Sequence, residues 1–480
     1  MTNRLPLNWE TWPLANVGDW QGGGTPSSTN DAFWDGDIPW VSPKDMKVPV
    51  ISSTQDRITA VAIENSAAKL IPARSVLFVT RSGILAHSFP VATTNLAVTV
   101  NQDLKAITPV GVVEPNYLAW ALRYLERLIL HSCTKHGTTV HSVEISALKA
   151  LMVPIPPINE QRRIMAKIEE LFSELDRGVE SLTTAREQLK AYRQSVLKYA
   201  FEGKLTGEWR EDNVKSKAAY QEHKDGSELE IPDDLSEYCA DCWTWGKLSD
   251  VADITGGLTK NPKRSSLPLT MKYLRVANVY ADRLELSEVS EIGVTEDEFD
   301  GVRLQRGDLL VVEGNGSVGQ IGRVAMWEGE LEDVGHQNHL IRVRLAPRMS
   351  PRFFLSFLMS PLGRDLIVRK ANSTSGLHTL SISKISSLPV PVPSTKEQEA
   401  LVDALAAPMS AIEKQAEEIE GALVKCSALR QSILNQAFSG SLVPQDASDE
   451  PASVLLQRIR AEQEGAKQRR DTKNSKKEAA

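Results

Sequence analysis

Cysteine is scarce, with four in 480 residues, so no disulfide framework is expected. Cys239 and Cys242 form a CxxC, but neither a second pair nor a histidine pair follows at zinc-ligand spacing. That argues against a metal site. A reduced, cytoplasmic protein is the simple expectation. No apolar run reaches the roughly 18 residues of a membrane span. Residues 1–9 lack the apolar core of a signal peptide. Excess positive charge is missing too. Lys and Arg number 55 against 62 Asp and Glu, a formal net charge of −7. Bulk attraction to a polyanion is thereby excluded, while local basic surfaces remain open. The apolar share of 41% is ordinary for a globular chain and supplies more than one core.

Catalytic signatures are missing as well. The chain has no GxxxxGK[ST] phosphate loop, no HExxH and no Asn-Pro-Pro-aromatic or Asp-Pro-Pro-Tyr segment of the kind amino-methyltransferases carry. Gly314-Asn315-Gly316-Ser317-Val318-Gly319 fits GxGxxG and follows a strand pattern. Pyrophosphate binding needs a helix to open there. Residues 320–327 read instead as another strand, so a glycine-rich loop between strands is expected.

What the chain does contain is a duplication. Pro154-Ile155-Pro156-Pro157 with Glu160-Gln161 returns as Pro391-Val392-Pro393-Ser394 with Glu397-Gln398, an offset of 237. Ala200-Phe201-Glu202-Gly203 returns as Ala437-Phe438-Ser439-Gly440 at the same offset. Loops tolerate insertions and rigid elements do not, so a gapless stretch of this length behaves as a strut. Ile164, Ile168, Leu171, Leu175, Leu182, Ala185, Leu189, Tyr192 and Val196 alternate steps of four and three, a heptad seam. The second copy places Leu401, Leu405, Ile412, Ile419, Ala422, Cys426, Leu429 and Ile433 on the same seam. Each helix would run about 60 Å at roughly 1.5 Å per residue. Gly203 and Gly440 stand where left-handed caps belong. Pro408 falls on a seam position and should kink the second helix or mark its start. The two copies could pair antiparallel; two unrelated surface helices are the alternative.

The globular stretches repeat more weakly. Residues 12–24 resemble 245–257, and 75–80 match 308–313. Thr94-Asn95 aligns with Gln337-Asn338. Helices open at Pro115 and Pro351, and polar loops follow at 137–141 and 374–378. Base edges are read by Arg, Lys, Asn, Gln, Ser and Thr on short exposed loops. In the first globule the candidates are Thr25, Ser27, Lys44, Arg81, Ser82, Thr94, Asn95, Lys135, Thr138 and His141. In the second they are Lys260, Asn261, Asn278, Asn315, Ser317, Gln337, Asn338, Ser375 and His378. For any single one of these, an ordinary surface or capping role competes with a base contact. No catalytic or metal-binding residue is assigned.

The fold is therefore expected to be mixed α/β (α+β), with two β-rich recognition domains separated by two long antiparallel helices forming a coiled coil. The domains are 1–153, a spacer helix at 154–207, a polar connector at 208–241, 242–390, a second spacer helix at 391–445 and a partly disordered tail at 446–480. The order of these elements, with the Pro-Ile-Pro-Pro…Glu-Gln entry and the Ala-Phe-Glu-Gly ending of each helix, resembles the specificity subunits of type I restriction–modification enzymes. The resemblance implies that each globule reads one half of a split, asymmetric double-stranded DNA site. It implies that the helices set the gap and dock two modification subunits, and that restriction subunits complete the complex. S-adenosylmethionine, ATP and Mg would sit on those partners, with no cofactor and no catalysis in this chain. The competing reading is a coiled-coil scaffold carrying two ligand-binding globules and no DNA role.

Overall fold

The structure of the chain is a computed structural model that describes residues 5–135, 140–213, 243–314, 320–371 and 379–458. Cys239, Cys242 and most of the connector lie outside them. Among the described residues no helix is long and apolar enough to cross a membrane.

The continuous apolar runs become central strands buried on both faces. In the first globule Val76–Val79 is fully buried. It lies in a five-stranded sheet ordered Gly18–Gly22, Leu104–Pro109, Val76–Val79, Val91–Thr94, Val50–Ile51. In the second, Leu309–Val312 is buried the same way. Its four-stranded sheet runs Ala252–Gly256, Leu340–Leu345, Leu309–Val312, Val324–Met326. A smaller sheet accompanies each. Trp34–Val41 pairs antiparallel with Asp56–Ile58 and parallel with Thr99–Val100. Leu269–Leu274 pairs antiparallel with Ser290–Val294 and parallel with Val334–His336. The helices Pro115–Tyr124 and Pro351–Met359 open at proline, whose missing N–H costs nothing in a first turn.

A short ribbon closes each globule where the chain leaves for its long helix. Glu10–Pro13 pairs with Met152–Ile155, and Thr244–Lys247 with Pro389–Val392. This register corrects the sequence alignment. Glu10 faces Ile155 and Thr244 faces Val392, so the entry segments are offset by 234. Trp12 therefore corresponds to Gly246, and Trp9 to Trp243. Matching the two Trp-rich entries by eye slipped them by one residue, which in a strand exchanges the two faces.

The long helices run Ile158–Phe201 and Thr395–Ser439, 44 and 45 residues. The chain divides into two compact units, and the division cuts each helix near its middle. One unit holds residues 1–181 and 422–480, the other 182–421. Within the first, Arg430 pairs with Asp176, and Phe438 stacks on Tyr124 with ring centroids 4.9 Å apart. Within the second, Arg186 meets Glu420 at 3.2 Å and Arg210 pairs with Glu397. In each unit higher numbers on one helix meet lower numbers on the other, so the expected antiparallel pairing is borne out.

The seam is correct at its ends and overstated in its middle. Ile164, Ile168, Leu401, Leu405 and Ile412 are buried. Tyr192 and Leu429, 237 positions apart, stay 55% and 52% exposed. Two helices cover only a narrow stripe of each other. Near the helix ends the globules cover the rest. Gly203 (φ 74°) and Gly440 (φ 79°) take the left-handed cap. There Lys204 N–H donates to the Tyr199 carbonyl, and Ser441 N–H to that of Gln436. Pro408 lies inside the second helix and does not mark its start. The expected strand over 320–327 is shorter, Val324–Met326. Gly322 in a left-handed turn holds the segment before it out of extended backbone. Residues 452–458 form a helix whose Ala452 and Leu456 are buried in the first core. The tail is thus packed that far, and residues 459–480 lie outside the described ones.

Candidate nucleic-acid interface

In the first unit the folded chain gathers four of the expected residues on one small sheet. Arg81–Ser82 pairs with His141–Val143, which pairs with Thr134–Lys135. His141 stands opposite Ser82, and Lys135 opposite Ser142. The N–H groups of Thr80 and Arg81 donate to the Asp103 carbonyl at 2.7 and 3.2 Å. Arg81 Nε lies 3.8 Å from the Asp103 carboxylate, and Thr25 hydrogen-bonds Gln102. Thr25, Gln102, Asp103, Arg81, Ser82 and His141 thus form one polar strip along the sheet edge. The ion pairs of Arg81 and Lys135 leave those side chains 67% and 70% exposed. Pairs so exposed contribute little and release their cations readily.

The second unit builds its strip on the same frame. Leu258 N–H donates to the His336 carbonyl, and Asn338 N–H to that of Leu258. Lys260 and Asn261 follow directly, and the Asn261 side chain accepts from Lys263 N–H. Glu313 N–H donates to the His339 carbonyl at 3.0 Å, and the Glu313 carboxylate lies 2.8 Å from His339 Nδ1. Gly314 bridges Thr379 where the first unit has its small sheet. The residues in equivalent places differ: Thr80 against Glu313, and Asp103 against His339.

Several expected residues belong elsewhere. Thr94 is 1% exposed and its hydroxyl donates to the Leu96 carbonyl, so it closes a turn. Asn278 is 3% exposed. Its amide accepts from Arg275 N–H and donates to the carbonyls of Glu285 and Glu288, each at 2.8 Å. Both are structural. Ser27 bonds Thr29 within its own loop. Lys44 and Asn95 are exposed, Lys44 in the turn that Asp45 caps onto Ser42. Thr138, Asn315, Ser317, Ser375 and His378 lie outside the described residues.

Sequence reasoning missed Gln102, Asp103, Ser142, Glu313, His339 and Thr379. It aligned Thr94-Asn95 with Gln337-Asn338. The structure equates the latter with Asn101-Gln102, because Asn101 N–H donates to Val41 and Gln337 N–H to Leu274, equivalent positions on the Trp34–Val41 and Leu269–Leu274 strands. Thr94 ends a strand that pairs in the larger sheet instead. A strand order read from the parallel pairing would have found the match.

Burial shapes the charges behind the second strip. His336 is fully buried, and desolvation lowers its pKa to about 4, so it is neutral at physiological pH. The buried arginine Arg342 donates to the Gly301 carbonyl and pairs with Asp253 at 3.0 Å. Among the described residues no group of three or more His, Cys, Asp or Glu could hold a metal ion.

Comparison with known proteins agrees with this frame. The family model "Type I restriction modification DNA specificity domain" matches residues 6–188 and 241–420, one match for each repeat. The chain is 37% identical over 194 residues to the Escherichia coli type I restriction enzyme EcoR124I/EcoR124II specificity subunit. That match covers 40% of the chain and 46% of the relative, less than half its length. It is 29% identical over 342 residues to the EcoKI specificity subunit of Escherichia coli K12, covering 68% of the chain and 67% of the relative. A solved structure described as "Structural basis underlying complex assembly and conformational transition of the type I R-M system" superposes with a TM-score of 0.63. It shares 16% identity and covers 92% of the chain and 100% of its own length, which establishes the likeness of fold. The scaffold reading without a DNA role loses to a match that spans globules as well as helices, and the chain belongs to the type I restriction–modification DNA specificity family.

Proposed function

We propose that the chain is the non-catalytic, sequence-reading subunit of a type I restriction–modification complex, with each globule reading one half of a bipartite DNA site. The observation that supports this best is the pair of polar strips. They occupy equivalent places on a shared frame and carry different side chains. Identical readers would recognise a symmetric site; different ones recognise an asymmetric one. The helices set the unspecified gap. Two modification subunits bring S-adenosylmethionine and methylate the DNA, and restriction subunits bring ATP and Mg. The complex works in the cytoplasm.

The test is methylation-sensitive sequencing of a host carrying this chain with its modification subunits. A motif of two short specified halves around a fixed gap is expected. A continuous or palindromic motif would refute the asymmetric reading, and absence of any motif would refute the assignment.

A further inference from the structure

Each unit contains one open groove at the junction of its globule and its stretch of paired long helices, and the two grooves have the same plan. In the first unit the groove encloses about 1150 Å³ between the Pro115–Tyr124 helix, residues 168–180 and residues 427–434. In the second it encloses about 250 Å³ between the Pro351–Met359 helix, residues 402–413 and residues 193–197. Ile168, Phe172, Ser173 and Asp176 line the first. Leu405, Met409, Ser410 and Glu413 line the second, each 237 positions on. Across the groove stand Arg430 and Leu434 in the first unit and Arg193 and Leu197 in the second, again 237 apart.

Every one of these positions keeps its chemical class: two bulky apolar groups, a serine, an acid, an arginine and a leucine. The polar strips on the same globules do not, as Thr80 against Glu313 and Asp103 against His339 show. The arginine is poised in both grooves. Arg430 lies over the Phe172 ring at 4.8 Å and pairs with Asp176. Arg193 pairs with Asp282 at 2.7 Å, yet its Nε is buried with no acceptor. A buried donor left unmet costs roughly 1–3 kcal/mol, so an occupant that brings an acceptor is favoured. The walls are helices with apolar floors, the shape an amphipathic helix fills.

We infer that these grooves are two equivalent seats for one partner, each taking an amphipathic helical segment of a modification subunit. The segment lays apolar side chains on Ile168 and Phe172, or on Leu405 and Met409, and sets an acceptor beside the arginine. The inference rests on the function proposed above and adds the surface and the copy number. Two seats of one chemistry explain why the lining repeats while the reading strips diverge. Seats at the globule junctions also couple each partner copy to the globule that positions its DNA half.

The experiment uses the full chain co-expressed with its modification subunit, with stoichiometry read by native mass spectrometry. Ser173 and Ser410 are exposed at the groove edges, so a bulky residue there blocks the seat without disturbing a core. Wild type is expected to carry two partner copies, Ser173→Trp one, Ser410→Trp one, and the double variant none. Ser173→Ala with Ser410→Ala should keep both copies, and circular dichroism melts should overlay for all forms. Two copies on a folded double Trp variant would overturn the seats while leaving the proposed function standing. No copies on wild type would overturn the proposed function itself.

Discussion

At the scale of single residues, the two repeats supply each other's controls. His336 occupies the place that Val100 holds in the first globule, at the end of the parallel strand pair. Burial holds His336 neutral with a pKa of about 4. The unfolded chain takes up that proton near pH 6.5, so it binds more protons than the folded chain between those values. Stability is therefore full above about pH 6.5 and falls as pH drops toward 4. The shift of about 2.5 units corresponds to roughly 3 kcal/mol at 1.36 kcal/mol per unit. His336→Val should remove this part of the acid slope in urea unfolding followed between pH 7 and pH 4.5. An unchanged slope would show that other groups carry it. Glu160 behaves oppositely. Burial raises its pKa, against the hydrogen bonds from Gln445 and Trp9 that lower it. A raised carboxylate keeps its proton longer in the folded state, so its contribution weakens as pH rises through that interval.

Arg81 carries the second residue-scale prediction. Its side chain is 67% exposed on the first strip, held only by a 3.8 Å ion pair with Asp103. Folding does not depend on it, so Arg81→Ala should leave the melting temperature unchanged. If the strip reads bases, the variant complex should bind its own site about 10–100-fold more weakly, the effect of losing one good base contact of about 1–3 kcal/mol. The methylated motif should relax in one half only. Equal relaxation in both halves would place Arg81 outside the reading surface.

At the scale of elements, the long helices were the most legible part of the chain. Heptad spacing, gapless offset and the glycine caps are local properties, and local properties survive folding without reference to distant residues. The seam failed at Tyr192 and Leu429, because sequence period says which face is apolar and not how far a partner extends along it. The strips were only half legible. Arg81, Ser82, Lys135 and His141 meet through antiparallel pairing across more than fifty residues. Gln102 and Asp103 enter through the parallel pair, which no short sequence window contains. Thr94 and Asn278 misled because capping and base reading favour the same residue types. Pro408 gives an element-scale test. It sits in the second helix, where its missing N–H leaves the Ala404 carbonyl without its helical donor. Pro408→Ala should stabilise the second unit by about 2 kcal/mol, somewhat less than the intrinsic cost of proline in a helix. Guanidinium denaturation would show it as a raised midpoint with unchanged slope. A lowered midpoint would mean that the proline ring packs better than alanine there.

At the scale of the whole molecule, charge and architecture pull apart. A DNA reader usually draws most of its affinity from phosphate contacts, which release counterions and give a steep salt dependence. This chain has a net charge of −7, and its exposed cations on the strips already face acids. Reading and holding are thus separable: the strips can discriminate bases while another surface supplies the attraction. The isolated full chain should bind its own site weakly at physiological salt. Its binding should fall only gently with added salt, since few phosphates are neutralised. Adding the modification subunits should both tighten binding and steepen the slope of log affinity against log salt, by roughly 0.9 for each added phosphate contact. Discrimination between the site and a scrambled duplex should change far less than affinity does. Fluorescence anisotropy with the chain alone and with the assembled complex, across a salt series, separates these quantities. Tight, steeply salt-dependent and specific binding by the chain alone would mean that the strips themselves hold the phosphate backbone, and that the acidic partners of Arg81 and Lys135 give way to DNA.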